Sequence, residues 1–544
     1  MKIKISIILG LLIAAVLIYF FRPWFQPVLM PLYTHPLKAI MFALSIVYML
    51  AILYKLLMLD VFEKAKFKLK PNLYVGAIFI DAISLWISIE LFIALILTQI
   101  TIVSLLKIAS NKKLDASFSK AGFALASAGI IFLAIFIGYF ENAVVNKKIA
   151  DTSEYINITS LPEITPPRII PKQVADRFAS DSFQNPQEKL TDSQIVMNNG
   201  QLQRVYGRIP EGLLLTLTNK LSGFVTVNVS SFENNSEIVD QEFKYSEGLQ
   251  ITDNLSFQLK KKRYFAQYSE PIYLKDPNSD QWYTAVPYIS YKGFPIRIPK
   301  WGGVMIVDKD GNITDYTPEQ AMQLPMAKSN RIYPKELSRI YTQAYSYKNG
   351  IFNKWFLHKD QIEIDESENL QQPYHLPTPG GYKQMLFTKP YGNSFGIYKV
   401  FIFDATTGKI ELLSYAQNTQ LIGPTAAKQY VEKNFPSIDY SQFTIVEPRP
   451  VTANNNLYWM FSIIQGNGSG IAHTVLVNAQ TTEVSEIKDK TELDRFLNNV
   501  PVTSDKPATD SKPTEKQPDN SEIKARLEKV QTELNSILKL INEK

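Results

Sequence analysis

The chain contains no cysteine. Disulfides, zinc–thiolate sites, iron–sulfur ligation and thiol catalysis are thereby excluded, because each needs the sulfur itself. Histidine is nearly as scarce, with four residues, His35, His358, His375 and His473, and none of them lies inside an apolar run. A strong charge imbalance is missing as well. The formal net charge of +6 over 544 residues is small and dispersed, so it gives no nucleic-acid footprint. The one dense basic run, Lys260-Lys261-Lys262-Arg263, reads as a solvated strand end or turn. No phosphate-binding loop or dinucleotide fingerprint appears, and Gly466-Asn467-Gly468-Ser469-Gly470 lacks the spacing of a nucleophile elbow and reads as a hairpin loop. No catalytic constellation, metal site or cofactor site is expected.

What is present begins with four apolar blocks, Ile5–Phe21, Ala39–Leu59, Leu73–Leu106 and Gly122–Phe140, after which the chain turns polar. Each is at or near the ~20 apolar residues that a helix needs to cross a bilayer. A multi-pass transmembrane helical domain is therefore expected over 1–140, in the cell membrane and with the lipid bilayer as a partner. The first block is read as retained, since Phe20-Phe21-Arg22-Pro23-Trp24 offers no small-residue cleavage site. Basic residues at Lys2 and Lys4, from Lys64 to Lys70 and from Lys107 to Lys120 place those segments on the cytoplasmic side. Leu73–Leu106 is then either one long tilted helix or a helical hairpin turning near Trp86–Glu90. The hairpin satisfies every basic loop and puts the large remainder outside the membrane. Asp81 and Glu90 fall in this block, where an ionised carboxylate is costly, and are candidate intramembrane functional residues. The competing reading places Glu90 at the interface and caps Asp81 with a neighbouring helix.

Beyond the blocks the pattern is α+β and strand-rich. An extended connector is expected over 141–170, a first α+β region over 171–330 and a second over 331–500. Helices are expected at Pro171–Phe183, Pro318–Leu324, Pro334–Tyr345 and Thr425–Phe435, and strands at Leu213–Leu217, Gly223–Val229 and Tyr283–Tyr291. Thr317-Pro318-Glu319-Gln320 carries a capping-box start, with Thr as cap, Pro first in the helix and Gln three residues after the cap. The oxygens of Asp308, Asp310, Asn312, Thr314, Tyr316 and Glu319 follow EF-hand-like spacing, but Ile313 stands where that loop needs glycine, so a hairpin is the better account. The acidic run Asp360, Glu363, Asp365, Glu366 and Glu368 reads as loop surface.

Three hairpins look like copies of one unit: Val304–Thr314, Phe401–Glu411 and Val475–Val484, the last with Thr482 where the others have glycine. A helix ending at Phe435-Pro436, an aromatic strand at Leu457–Ile464 and then this hairpin give an order that resembles PepSY domains, most closely from 425 to 487 and more faintly in the two preceding hairpins. The resemblance implies a non-catalytic extracytoplasmic body that restrains peptidases or binds envelope partners. PepSY-bearing membrane reductases hold haem between intramembrane histidine pairs, and no such pair exists here.

The end of the chain divides into a disordered linker over 501–520 and a heptad seam over 521–544 through Ile523, Leu527, Val530, Leu534, Ile537 and Ile541. The seam is expected to pair with itself or with a partner; the alternative is an amphipathic helix that docks on its own domain. The expected function is that of a membrane-anchored envelope scaffold or regulator that binds protein partners. The alternative is a subunit of a transport or secretion complex working through Asp81 and Glu90. Four seam side chains bury roughly 1.5–3 kcal/mol each, most of it offset by ordering entropy. Leu534→Asp should therefore weaken self-association in sedimentation velocity while leaving protease resistance upstream of Pro501 unchanged.

Overall fold

The computed structural model describes residues 22–27, 29–36 and 39, then 140–498 apart from 199, 329, 367–371, 393–395, 416–420, 467 and 469. After a first strand β1 (Tyr155–Ile158), four units follow, each a helix and then an antiparallel sheet whose strands meander in chain order.

The first unit has α1 (Lys172–Ser182), β2 (Glu188–Leu190), β3 (Gln194–Asn198), β4 (Gln201–Pro210), α2 (Leu213–Thr218), β5 (Leu221–Asn228) and β6 (Ser236–Phe243). The second has α3 (Leu255–Lys262), β7 (Gln267–Tyr268), β8 (Ile272–Lys275), β9 (Trp282–Lys292), β10 (Ile298–Val307), β11 (Ile313–Tyr316) and a short α4 (Pro318–Ala321). The third has α5 (Lys335–Ala344), β12 (Ile362–Ile364), β13 (Tyr374–Thr378), β14 (Gly381–Pro390), β15 (Lys399–Asp404) and β16 (Ile410–Ser414), with β1 added in parallel at its edge. The fourth has α6 (Pro424–Asn434), β17 (Phe443–Ala453), β18 (Asn456–Gln465), β19 (Ile471–Asn478) and β20 (Val484–Ile487), followed by α7 (Lys490–Leu497).

Each sheet is interrupted at its first strand. β2 and β3 both pair with β4, β7 and β8 both pair with β9, and β12 and β13 both pair with β14. In the fourth unit β17 runs on, but its register against β18 shifts between Val446 and Arg449.

Strand alternation builds the packing. In the third sheet Met385, Phe387, Val400 and Ile402 face Trp459, Phe461 and Val475 of the fourth, whereas Leu386, Phe401 and Phe403 face Ile289 of the second. Successive side chains on a strand point to opposite faces, so a sheet buried on both sides reads as a continuous apolar run. The first and second sheets share a core around Phe224 and Trp282. Val446 and Ile464 of the fourth pack with Val225 and Val227 of the first. The four units thus close a ring, much as propeller blades do.

Local expectations hold at several points. Gln320 N–H donates to Thr317 Oγ1 at 3.4 Å and Thr317 N–H to Gln320 Oε1 at 3.0 Å, the capping box of α4. Asp308 accepts from the Asn312 backbone and side-chain amides at 2.8 and 2.7 Å, closing a hairpin turn. Other expectations are corrected. Leu213–Leu217 is helical, not a strand. Its leucines favour helix, and Leu213 and Leu214 stay exposed rather than alternating in and out. The Lys260–Lys262 run forms the last turn of α3, where cations complement the helix carbonyl end. The connector supplies β1, whose edge pairs with β16.

The multi-pass transmembrane reading is also corrected. No helix among the described residues is long and apolar enough to cross a membrane. Apart from Ala39 and Phe140, the four apolar blocks lie outside the described residues, as do the linker and heptad seam. Flanking segments that are described dock on the body through polar and aromatic groups. Gln26 Nε2 donates to Ala266 O at 3.0 Å, and Tyr33 stacks on Phe265 with centroids 4.3 Å apart. The helix at 140–152 buries Ile149 together with the carboxylate-bearing Glu141.

Two of the three hairpins expected to be copies are the same turn bond for bond. Asp404 N–H donates to Lys409 O and Gly408 N–H to Asp404 O, at 2.9 and 2.8 Å. Their counterparts, Asn478 to Glu483 and Thr482 to Asn478, measure 2.9 and 3.0 Å. Asp404 Oδ1 accepts from Thr406 and Thr407 N–H as Asn478 Oδ1 does from Gln480 and Thr481 N–H. The hairpin at Asp308 is one residue shorter, closing from Asp308 to Asn312. Gly408 sits at φ +73° and Thr482 at φ +62°, a left-handed conformation that costs a β-branched residue roughly 1–2 kcal/mol. Thr482→Gly should therefore stabilise the body by about 1 kcal/mol in urea denaturation, after the extra freedom of glycine in the unfolded chain is set against the relief.

Candidate functional site

The four interruptions meet. Where a first strand breaks, its backbone leaves the ladder and polar residues turn toward the middle of the ring, around a cavity of about 610 Å³. The first unit contributes Ser193 and Gln194 from its break and Arg204 from β4. The second contributes Glu270, between β7 and β8. The third contributes Gln372 and His375 at the start of β13 and Lys335, Glu336 and Arg339 along α5. The fourth contributes Glu447 and Arg449 from the slipped part of β17. Arg168, before α1, and Arg331, before α5, complete the wall.

Glu447 is the hub. Its φ of +44° is left-handed for a non-glycine residue, a strain sustained only by what surrounds it. Arg168 Nη2 lies 2.6 Å from Glu447 Oε1 and Arg204 Nη2 3.5 Å from it. Glu447 Oε2 accepts the Lys172 backbone N–H at 2.6 Å. Pro171, the residue before α1, has no side chain to cap that helix, so a carboxylate some 275 residues later in the chain does so. Burial disfavours the Glu447 carboxylate, but Arg168, Arg204 and Arg449 outweigh it and hold its pKa at about 2.

Arg449 is buried and donates from Nη1 to Ile169 O and from Nη2 to Ser462 Oγ, both at 2.6 Å. Arg331 donates to Gln194 Oε1 at 2.9 Å and lies 3.1 Å from His375 Nε2. Burial, then the charges of Arg331, Lys335, Arg168 and Arg204, hold the His375 imidazole well below its ordinary pKa. The ring is therefore neutral at pH 7 and can accept that bond. Glu270 pairs with Lys335 at 2.6 Å, and Glu336 accepts the Ser269 hydroxyl at 2.6 Å. The histidine on the wall is engaged by an arginine. The wall can orient and neutralise an anion.

Asp81 and Glu90, and the seam residues Ile523, Leu527, Val530, Leu534, Ile537 and Ile541, lie outside the described residues. Of the acidic run, Asp365 is buried rather than on the loop surface, and burial pushes its pKa up to about 6; Glu366 pairs with Arg339 at 2.6 Å. His473 contacts Glu486, and His358 stacks on Tyr391. No group of three or more His, Asp or Glu among the described residues is placed to hold a metal. The sequence reading missed Arg168, Arg204, Arg331, Glu447 and Arg449, since nothing in their spacing joins them. One signal was present: Glu447-Pro448-Arg449-Pro450 sets two prolines and two charges inside an apolar strand, which marks a bulge.

No protein-family model matches the chain, and no curated protein matches it in sequence. Among solved structures, the C-terminal domain of YpeB from Bacillus megaterium is similar at 10% identity, covering 59% of this chain and 100% of that one, with a TM-score of 0.12. Levansucrase from Bacillus subtilis is similar at 10% identity, covering 61% of this chain and 98% of that one, with a TM-score of 0.17. Both likenesses are weak, and neither establishes a shared fold.

Glu447 has a native pKa of about 2 against an ordinary value of 4.5. A depressed carboxylate contributes stability that is present above its unfolded pKa and lost as pH falls to its folded one, here about 3 kcal/mol in all. Glu447→Gln should cost on the order of 3–5 kcal/mol at pH 7, since it also leaves buried guanidiniums uncompensated. Measured by denaturant titration, the gap between wild type and variant should narrow as pH is lowered from about 4.5 toward 2. A gap independent of pH would show that the charge of Glu447 is not what holds the hub.

Proposed function

We propose that this body is a non-catalytic binding module, PepSY-like in its last unit, that holds a segment of a protein partner in the central cavity. The supporting observation is the wall itself. Fixed polar side chains from four separate units, most of them guanidinium or amide donors, converge on one open space, as a recognition site requires. The order of α6 and β17–β20, a helix followed by a four-stranded meander ending in the Asn478 turn, supports the PepSY-like reading of 425–487. A regulatory role follows naturally, because a partner held by residues from all four units is sensed by the whole ring.

Site-specific photo-crosslinking tests this reading. Gln343 lies on the cavity wall and is exposed, whereas Thr252 is exposed and away from it. A photoreactive side chain at Gln343 should give a discrete heavier species in living cells, and one at Thr252 should not. If Gln343 yields no such species, or both positions yield it equally, the cavity is not where a partner is held.

A further inference from the structure

Charge on the cavity wall does not balance. Seven cationic residues line it against four carboxylates. Most of the cations are accounted for: Lys335 by Glu270, Arg339 by Glu366, Lys172 by Asp176 and Asp192, Arg168 and Arg204 by Glu447. Arg331 and Arg449 are not. They are 6% and 1% exposed, and each spends its guanidinium on neutral acceptors; among the described residues no carboxylate is in direct ion-pair contact with either, and Glu270 and Glu336 act on Arg331, as Glu447 does on Arg449, only at longer range. The Nε–H groups of Arg168, Arg204 and Arg449 are buried without a hydrogen-bond partner. Buried cations without a carboxylate in direct contact, and buried donors without acceptors, each cost free energy. Guanidinium cannot relieve that cost by giving up its proton at neutral pH.

We infer that the cavity takes a carboxylate group from an acidic segment of a protein partner, which supplies the direct ion-pair contact that Arg331 does not make with any described residue. This rests on the binding function proposed above and names its ligand chemistry. A carboxylate matches the planar guanidinium fork and accepts several charge-assisted hydrogen bonds at once. The rest of the wall favours a peptide over a small inorganic anion. Gln343 offers an exposed side-chain amide suited to backbone groups, and Ile195 and Ile340 add apolar surface that a bare anion would leave unused. A cavity of about 610 Å³ also exceeds what a single oxyanion fills.

The test is thermal denaturation of the purified full-length chain at fixed ionic strength, with four probes: an acetylated hexaglutamate peptide, a hexalysine peptide, succinate and inorganic phosphate. Hexaglutamate should raise the melting temperature in a saturable way. Hexalysine should not, and succinate and phosphate should need far higher concentrations. Arg331→Gln should weaken hexaglutamate binding about tenfold or more, the loss expected when a charged hydrogen-bond partner is removed. Arg331→Lys should restore part of it. Should Arg331→Gln fail to fold, the partly exposed Lys335→Gln must instead show a several-fold loss. Phosphate or succinate acting as well as the peptide would overturn the acidic-segment assignment. No response to any anion, or a response unchanged in the Arg331 and Lys335 variants, would overturn the site. A crosslink at Gln343 that persists after such a failure would leave the binding function standing with a different ligand.

Discussion

A ring of packed units has to be held shut somewhere, and here the closing contact is a charge. Glu447 of the fourth unit accepts from the first helix of the first unit and pairs with arginines that precede and follow it. Most of the remaining contact between units is neighbour packing on neighbour through apolar faces. This contact joins the two ends of the repeat through buried ions, in a left-handed backbone conformation that the surroundings must enforce. Buried ion pairs are poor sources of net stability compared with apolar packing of the same volume. Their contribution is to the choice of arrangement. A ring shifted by one residue in β17 would leave three guanidiniums facing one another with no carboxylate between them.

Much of the local structure was legible, and the reason is that its causes are local. The Thr317 capping box, the turns at Asp308, Asp404 and Asn478, and the helices before the third and fourth sheets are each specified within about ten residues. The fourfold repetition was only partly visible for the same reason. Three of its hairpins carry an Asx–Gly-like signature, whereas the first unit joins β5 to β6 through a longer connection at 229–235. The first strands differ most of all, because each breaks where it meets the centre. Leu213–Leu217 misled because a short leucine run has no periodicity to separate helix from strand. The apolar blocks at the start of the chain were read as membrane spans by length, a criterion that takes no account of what their flanks touch. The described flanks touch the body.

The site was illegible for a different reason. Arg168, Arg204, Arg331 and Arg449 are spread over most of the body's length, and each sits in an ordinary strand-like or connecting context. They become a cluster only through ring closure. Burial then converts unremarkable side chains into a site, since it removes the water that would otherwise satisfy them. The same holds for His375 and Asp365, whose pKa values move in opposite senses, the imidazole down and the carboxyl up, through burial in the same third unit.

Closure between the first and last units also sets an order in time. The face of the first sheet that carries Val225 and Val227 is covered partly by Val446 and Ile464, which are made long after it. At a synthesis rate of about 5–20 residues per second, that face waits on the order of tens of seconds for its cover. During this interval the nascent chain presents an apolar sheet face covered only by α1, and two arginines whose carboxylate does not yet exist. A chaperone or a protease would meet this protein chiefly in that window, and a ribosome stalled before the fourth unit would leave a product unable to close.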